Sequence, residues 1–438
     1  MARNTKKEYR SQVMYSVFVR NHSQEGTFEA VRRDLERIKN LGVDIIWLMP
    51  IHPIGAKARK GTVGSPYAIS DYRAVHPDYG TLEDFRRLVD EIHRLDMKCI
   101  IDVVYNHTSP DSWLAEHHPE WFYHRADGSL GNHVGDWTDV VDLDYSHPEL
   151  WDYQIETLKN WAGIVDGFRC DVASLIPLDF WLRAREEVET VRPGCIWLAE
   201  SVEPEFIRFA RGQGITALSD PEIFQAFDIS YDYDIFPVFQ DYLEGKAPLS
   251  QYTGAVSQQE AMYPDNYVKL RFLENHDRLR AAAAIPGEAA LVNWTAFLYF
   301  QKGMTLLYGG QEAGCTHLPE LFEKDPVNWN AGPDRTELLR KLYPLKQHPL
   351  LTDSAYQVRA LSGDILLAEH RRNRDQLTGI FSLKGNSGLV AVDVPDGTYP
   401  NLAGDGSVEV KFGRVSCHGQ PIIFESRSQD GCEAEESL

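Results

Sequence analysis

Three acids and an imidazole stand where apolar runs end. Asp171 follows Gly-Phe-Arg-Cys at 167–170, and Glu200 follows Cys-Ile-Trp-Leu-Ala at 195–199. Asp277 closes the stretch 268–276, and His107 closes 102–106. One acid at a strand end carries little information. Three, with Arg169 and His276 beside them, are far more specific. Chemistry that needs two close carboxyls and no metal is glycoside cleavage. One carboxyl must be protonated to help the leaving oxygen depart. The other must be ionised to attack or stabilise the cationic sugar, and different surroundings separate their proton affinities. Arg169 lies two residues before Asp171, so both side chains share one face of a strand and the guanidinium holds Asp171 ionised. Glu200 ends a very apolar strand, where desolvation favours the protonated form and the donor role.

Such a constellation needs a scaffold that brings distant strand ends to one rim. Residues 12–19 form a short apolar run, and Phe28, Val31, Leu35 and Ile38 recur at helical spacing until Gly42. Residues 43–49 are an unbroken apolar strand, and Leu82, Phe85, Leu88, Val89, Ile92 and Leu95 mark a second amphipathic helix before the strand at 98–104. The same alternation predicts helices over 149–162, 178–191 and 336–347, and strands over 167–170, 195–199, 226–230, 268–273 and 304–308. Apolar strands separated by helices suggest parallel strands buried on both faces. About eight such units predict a (β/α)8 barrel, whose active site lies at the C-terminal strand ends. The polar, aromatic segment 106–147 breaks the rhythm and is too long for an ordinary loop. The chain therefore divides into a barrel (1–105 and 148–350), a short inserted domain after the third strand (106–147), a small C-terminal antiparallel β domain (351–425) and a disordered acidic tail (426–438).

The 438 residues carry 44 basic and 65 acidic side chains, a net charge of −21. That balance disfavours nucleic-acid partners and anionic membranes, and it leaves room for a neutral substrate. The stretch 281–300 is apolar but broken by Pro286, Gly287 and Glu288, so it reads as a buried helix rather than a membrane span. The six cysteines show no C-x-x-C pair, which predicts free thiols and a cytoplasmic protein. No secretory leader is visible at the N-terminus; secretion is the alternative if one was removed. Oligomeric state is left open.

The segments DVVYNH, GFRCDVA, WLAES and FLENHD occur in that order. They resemble the four signature regions of the α-amylase family of glycoside hydrolases. VVDLD at 140–144 resembles that family's fifth region, and SPYAISDY its stretch after the second strand. The resemblance covers roughly residues 12–350. It implies a retaining enzyme that cleaves α-glucosidic bonds in starch-type α-glucans or maltooligosaccharides. Asp171 then corresponds to the nucleophile, Glu200 to the acid/base and Asp277 to the acid that grips sugar hydroxyls. His107 and His276 correspond to sugar hydrogen-bond partners, Arg169 to the nucleophile's partner and Tyr67 to the aromatic platform. Retention implies carboxyls about 5–5.5 Å apart. No cofactor is needed for the chemistry. Asn106 and Asp142 occupy family calcium-ligand positions; the competing reading is a hydrogen-bonded anchor for the insert.

Some residues depart from the family pattern. Calcium-dependent α-amylases usually have Lys-His where this chain has Ser174 and Leu175. Val172 fits enzymes that tolerate α-1,6 as well as α-1,4 links, which keeps an oligosaccharide-specific α-glucosidase or a transglycosylase in view. The rival from another class is a non-catalytic carbohydrate-binding barrel. Asp102 reads as a structural acid. His117, His118, His124 and His133 fit no zinc spacing. Residues 212–217 match G-x-G-x-x-A but follow a helix, so the dinucleotide reading fails on context. Residues 309–312 read as a barrel-end turn. Trp113, Trp121, Trp137 and Trp151 suit either sugar subsites or core packing.

Overall fold

The computed structural model describes residues 5–134 and 137–427. Eight short strands form a closed parallel barrel: β1 (Val13–Val17), β2 (Ile45–Leu48), β3 (Lys98–Val103), β4 (Gly167–Cys170), β5 (Ile196–Ala199), β6 (Ile229–Tyr231), β7 (Val268–Arg271) and β8 (Met304–Tyr308). Apart from Lys98, every residue in them is buried. One face of each strand fills the barrel and the other meets the helices, which is why the runs are apolar without alternation.

The longer helices of the outer ring are α1 (Phe28–Asn40), α2 (Leu82–Arg94), α3 (Pro148–Ala162), α4 (Leu178–Glu189), α5 (Pro204–Gly212), α6 (Leu249–Met262), α7 (Glu288–Phe300) and α8 (Thr336–Lys346). The Thr27 side chain caps α1, and Thr81 and Asp84 close a reciprocal capping box on α2. Just past α1, Gly42 has φ +86°, and a Cβ there would lie 2.3 Å from the Tyr343 ring of α8. Backbone conformation and close approach both require glycine at that position.

The structure corrects several element limits. Residues 226–230 do not all form a strand: Ala226 and Phe227 donate to the Ile223 carbonyl in a turn, and β6 begins at Ile229. Apolarity reports burial there, not backbone conformation. Strand β7 ends at Arg271 rather than 273. The apolar stretch 281–300 splits into Ala281–Ala284 and α7, with Gly287 at φ +90° between them. No helix among the described residues is long and apolar enough to cross a membrane.

After β3, His107–Thr108 pairs antiparallel with Val141–Asp142, so the insert returns to the barrel beside its point of departure. Beyond α8 come β9 (Ala355–Leu361), β10 (Ile365–Arg372), β11 (Asp375–Ser382), β12 (Ser387–Ala391), β13 (Gly397–Pro400), β14 (Ser407–Lys411), β15 (Arg414–His418) and β16 (Ile422–Arg427). They form two four-stranded antiparallel sheets, ordered β9-β10-β11-β16 and β12-β15-β14-β13. Leu366, Leu377 and Phe381 of the first sheet join the barrel's own apolar core. Val390, Val410 and Val415 of the second pack with Ile380 and Phe424 of the first. Ser426 and Arg427, expected in the tail, extend β16 by pairing with Gln376 and Asp375. The rest of that expected tail, 428–438, lies outside the described residues.

Candidate active site

Strand register creates the acidic pair. In the β4–β5 ladder Cys170 is level with Ala199, so the next residues, Asp171 and Glu200, emerge side by side. The Glu200 amide donates to the Cys170 carbonyl at 3.0 Å, extending the ladder to the rim. At the start of that ladder a Cβ on Gly167 would lie 2.3 Å from the Ile196 carbonyl oxygen, so only glycine lets β4 and β5 approach this closely.

Arg169 is fully buried under the rim and ties the acids together. Its Nη1 donates to Asp171 Oδ1 at 2.7 Å and to Asp102 Oδ1 at 2.8 Å. Its Nη2 lies 3.0 Å from Glu200 Oε1 at ion-pair distance, outside hydrogen-bond alignment. The Val172 amide donates to Glu200 Oε2 at 2.7 Å. Val172 holds that amide in place from a left-handed conformation (φ +34°), rare for a β-branched residue and costing on the order of 1–3 kcal/mol. Burial pushes the Glu200 carboxyl well above its ordinary range; Arg169 opposes, and the Asp171 and Asp277 charges reinforce the rise. Burial likewise raises Asp102.

Asp277 and His107 reach the rim by other routes than expected. Neither sits on a barrel strand: β7 stops at Arg271 and β3 at Val103. Asp277 is carried by a loop in which its amide donates to Asn275 Oδ1 at 3.0 Å. His107 belongs to the short ladder of the insert, its Nε2 4.0 Å from Asp171 Oδ2. His276 stacks on Tyr67 with ring centroids 5.4 Å apart, and its Nε2 lies 2.7 Å from the Tyr67 hydroxyl and 3.2 Å from Asp277 Oδ2. The Tyr67 hydroxyl donates to Asp102 Oδ2 at 3.2 Å. The bonds are satisfied together when Nε2 carries the imidazole proton. Burial lowers the proton affinity of that ring, which keeps it neutral.

Asp171, Glu200, Asp277, Tyr67, His107 and His276 line one cavity of about 450 Å³. The Asp277 side chain is 38% exposed, against 9% and 8% for Asp171 and Glu200, so it meets solvent first. Sequence reasoning missed Tyr233, Arg278, Lys60, Asp139, Leu321 and Phe322 in the same wall. Arg278 directly follows FLENHD and Asp139 directly precedes VVDLD, so adjacency to those segments was the one available signal; Lys60, Tyr233 and the Leu321–Phe322 pair lie beside no such segment. Of the four candidate tryptophans only Trp137 lines this cavity. Trp113 stacks on His117, Trp121 on His118, and Trp151 packs edge-on against Phe180.

Asn106 and Asp142 face a different cavity, of about 370 Å³. Asp142 Oδ2 accepts from the His133 amide at 2.7 Å and lies 2.8 Å from its Nδ1, while Asp142 Oδ1 is buried without a hydrogen-bond partner. Among the described residues no group of three or more His, Cys, Asp or Glu side chains could hold a metal ion. The G-x-G-x-x-A segment begins at the end of α5, away from any strand.

A closed parallel barrel with clustered carboxyls at its C-terminal rim defines the class: a (β/α)8 protein built like a glycosidase. The family described as "Alpha amylase, catalytic domain" matches residues 12–129 and 110–349, and "Bacterial Alpha amylase C-terminal domain" matches 357–424. The chain belongs to the α-amylase family. It superposes on the crystal structure of an α-amylase from Lactobacillus plantarum with a TM-score of 0.94 and 50% identity, covering 96% of this chain and 100% of that one. A noncanonic maltogenic α-amylase, AmyB from Thermotoga neapolitana, gives 0.84 and 33%, over 96% and 99%. The α-amylase MalA of Haloarcula japonica is 25% identical over 92% of this chain. An α-1,4-glucan:maltose-1-phosphate maltosyltransferase of Rhodospirillum rubrum is 31% identical over 91%. The chain spans 61% and 58% of the lengths of these last two relatives.

Proposed function

We propose that the chain is a retaining glycoside hydrolase that cuts α-glucosidic bonds in starch-type α-glucans or maltooligosaccharides. The observation that carries this reading is a single guanidinium, Arg169, shared by Asp171 and Glu200 at one cavity, with Glu200 held toward its protonated form by burial. In this mechanism the Asp171 carboxylate attacks the anomeric carbon and forms a glycosyl ester as the glycosidic bond breaks. Glu200 gives its proton to the departing oxygen. Glu200, now ionised, takes a proton from water; the resulting hydroxide bonds to the anomeric carbon and frees Asp171. Two inversions leave the configuration unchanged. Asp277, neutral His276 and His107 act as hydrogen-bond partners of the sugar, and Tyr67 offers its ring as a platform.

The maltosyltransferase relatives favour a second reading, in which a sugar hydroxyl replaces water in the second step. Asn106 and Asp142 supply oxygen donors that suit Ca²⁺, and the orphaned Asp142 Oδ1 fits a cation. Such an ion would fasten the insert to the barrel and take no part in bond cleavage. The test is incubation with a panel of α-1,4 and α-1,6 glucans, followed by mass spectrometry of the enzyme trapped with a fluorinated glycosyl donor. Hydrolysis, a label on Asp171, and a loss of at least about 10⁴-fold in Asp171→Asn are expected. A label on another residue refutes the mechanism, and inertness toward the whole panel leaves a binding barrel.

A further inference from the structure

One side of the cavity is walled by loops tied to one another. The Arg20 guanidinium, just after β1, donates to the carbonyls of Gly64 and Leu321, the first at 3.0 Å. Beyond β2, the amides of Val63 and Gly64 both donate to the Phe322 carbonyl at 3.1 Å, and the Thr62 amide donates to Glu323 Oε1 at 2.8 Å. Gly61, at φ +65°, has no room for a side chain: a Cβ would lie 2.6 Å from that same carbonyl. Lys60 then reaches the insert, its Nζ 3.0 Å from Asp139 Oδ1 and 5.7 Å from the centre of the Phe322 ring. Lys60, Asp139, Leu321 and Phe322 line the cavity that holds the acids.

The position of this wall on the rim gives it a meaning. The barrel order sets β5 opposite β1, and β2 and β8 flank β1. Glu200 stands at the end of β5 and must face the leaving oxygen, so the departing sugar lies on that side. In a 4-linked glucose ring C1 and C4 are at opposite ends. The O4 of the ring under attack therefore points toward β1, where the loops after β1, β2 and β8 and the insert are joined. From this we infer that Lys60, Asp139 and Phe322 form a stop for the non-reducing end of the glucan, making the protein exo-acting. The Lys60 ammonium and the Asp139 carboxylate offer a donor and an acceptor to terminal hydroxyls, and Phe322 presents an apolar face to the ring. A chain that continued past this point would have to break the Lys60–Asp139 pair. The inference rests on the hydrolase reading above and adds the direction of attack.

The experiment compares maltohexaose with the same oligosaccharide carrying a 4,6-benzylidene group on its non-reducing glucose. The wild-type protein is expected to cleave the free sugar at least ten times faster. Lys60→Ala and Lys60→Ala/Phe322→Ala are expected to narrow that ratio at least threefold. Lys60 is one-third exposed, and thermal melting of the Lys60→Ala and double variants identifies which of them keeps the fold, the ratio being read on that one. Equal wild-type rates on both sugars overturn exo action. A selective wild type whose ratio is unmoved by Lys60→Ala overturns the role of this wall. No cleavage of either sugar sinks the hydrolase reading itself, and the inference with it.

Discussion

Around the single guanidinium of Arg169 lie three carboxyls, those of Asp102, Asp171 and Glu200, all buried. One positive charge cannot offset three ionised carboxyls in a poorly solvated site, and the imbalance is expressed in Glu200 and Asp102, both raised chiefly by burial. Burial is the main reason Glu200 retains its proton, with the nearby Asp171 and Asp277 charges adding to it. The sign of the resulting pH dependence follows. A donor must be protonated, so kcat/KM falls on the alkaline side as pH rises through the raised Glu200 value. Glu200→Gln should lose about 10²–10⁴-fold on maltooligosaccharides and lose that alkaline limb. Glycosyl fluorides, whose leaving group needs no proton, should be far less affected. A pH–rate profile of the variant checks this, and an alkaline limb that persists in it would count against Glu200 as the acid.

The pairing of β4 with β5 is the element on which the site depends. Its register sets Asp171 beside Glu200, and Gly167 sets how closely the two strands approach. Gly167→Ala would force a methyl group to within 2.3 Å of the Ile196 carbonyl, against backbone that cannot swing aside. Overpacking of this kind costs about 1–3 kcal/mol. It should lower the melting temperature and also reduce kcat/KM, because both acids move with their strands. Thermal melting and maltooligosaccharide kinetics on the same sample test the coupling. A variant that melts normally with full activity would show that the approach of these strands is not limiting.

At the scale of the whole molecule, the first C-terminal sheet is an extension of the barrel's core. Phe381 of β11 is fully buried, with its ring centre 5.2 Å from that of Phe297 and 5.4 Å from that of Phe300 on α7. Lys346 at the end of α8 is buried as well and donates to the carbonyls of Tyr299, Gln301 and Gly303, clamping the turn between α7 and β8. Barrel and sheet should therefore unfold together. Phe381→Ala is expected to cost about 3–5 kcal/mol, read as a lower urea midpoint in one cooperative transition. Two separated transitions in the wild-type protein would contradict the shared core.

Much of this was legible along the chain, because the signals are local. Asp171, Glu200 and Arg169 follow or lie within short apolar runs, and two-residue periodicity put Arg169 on the face of Asp171, where the structure has it at 2.7 Å. The alternation of apolar strands and amphipathic helices specified the barrel, since strands buried on both faces leave an unbroken apolar run. Limits were less legible where apolarity continues through a turn, as at Ala226 and Phe227, or where a loop rather than a strand carries the side chain, as at Asp277 and His107. The wall of Lys60, Asp139 and Phe322 had no shared signature. Its members lie far apart in the chain and meet only because the barrel closes β8 against β1 and brings the insert back over the rim. A contact between distant segments depends on how the chain folds back, and residue spacing carries no record of that.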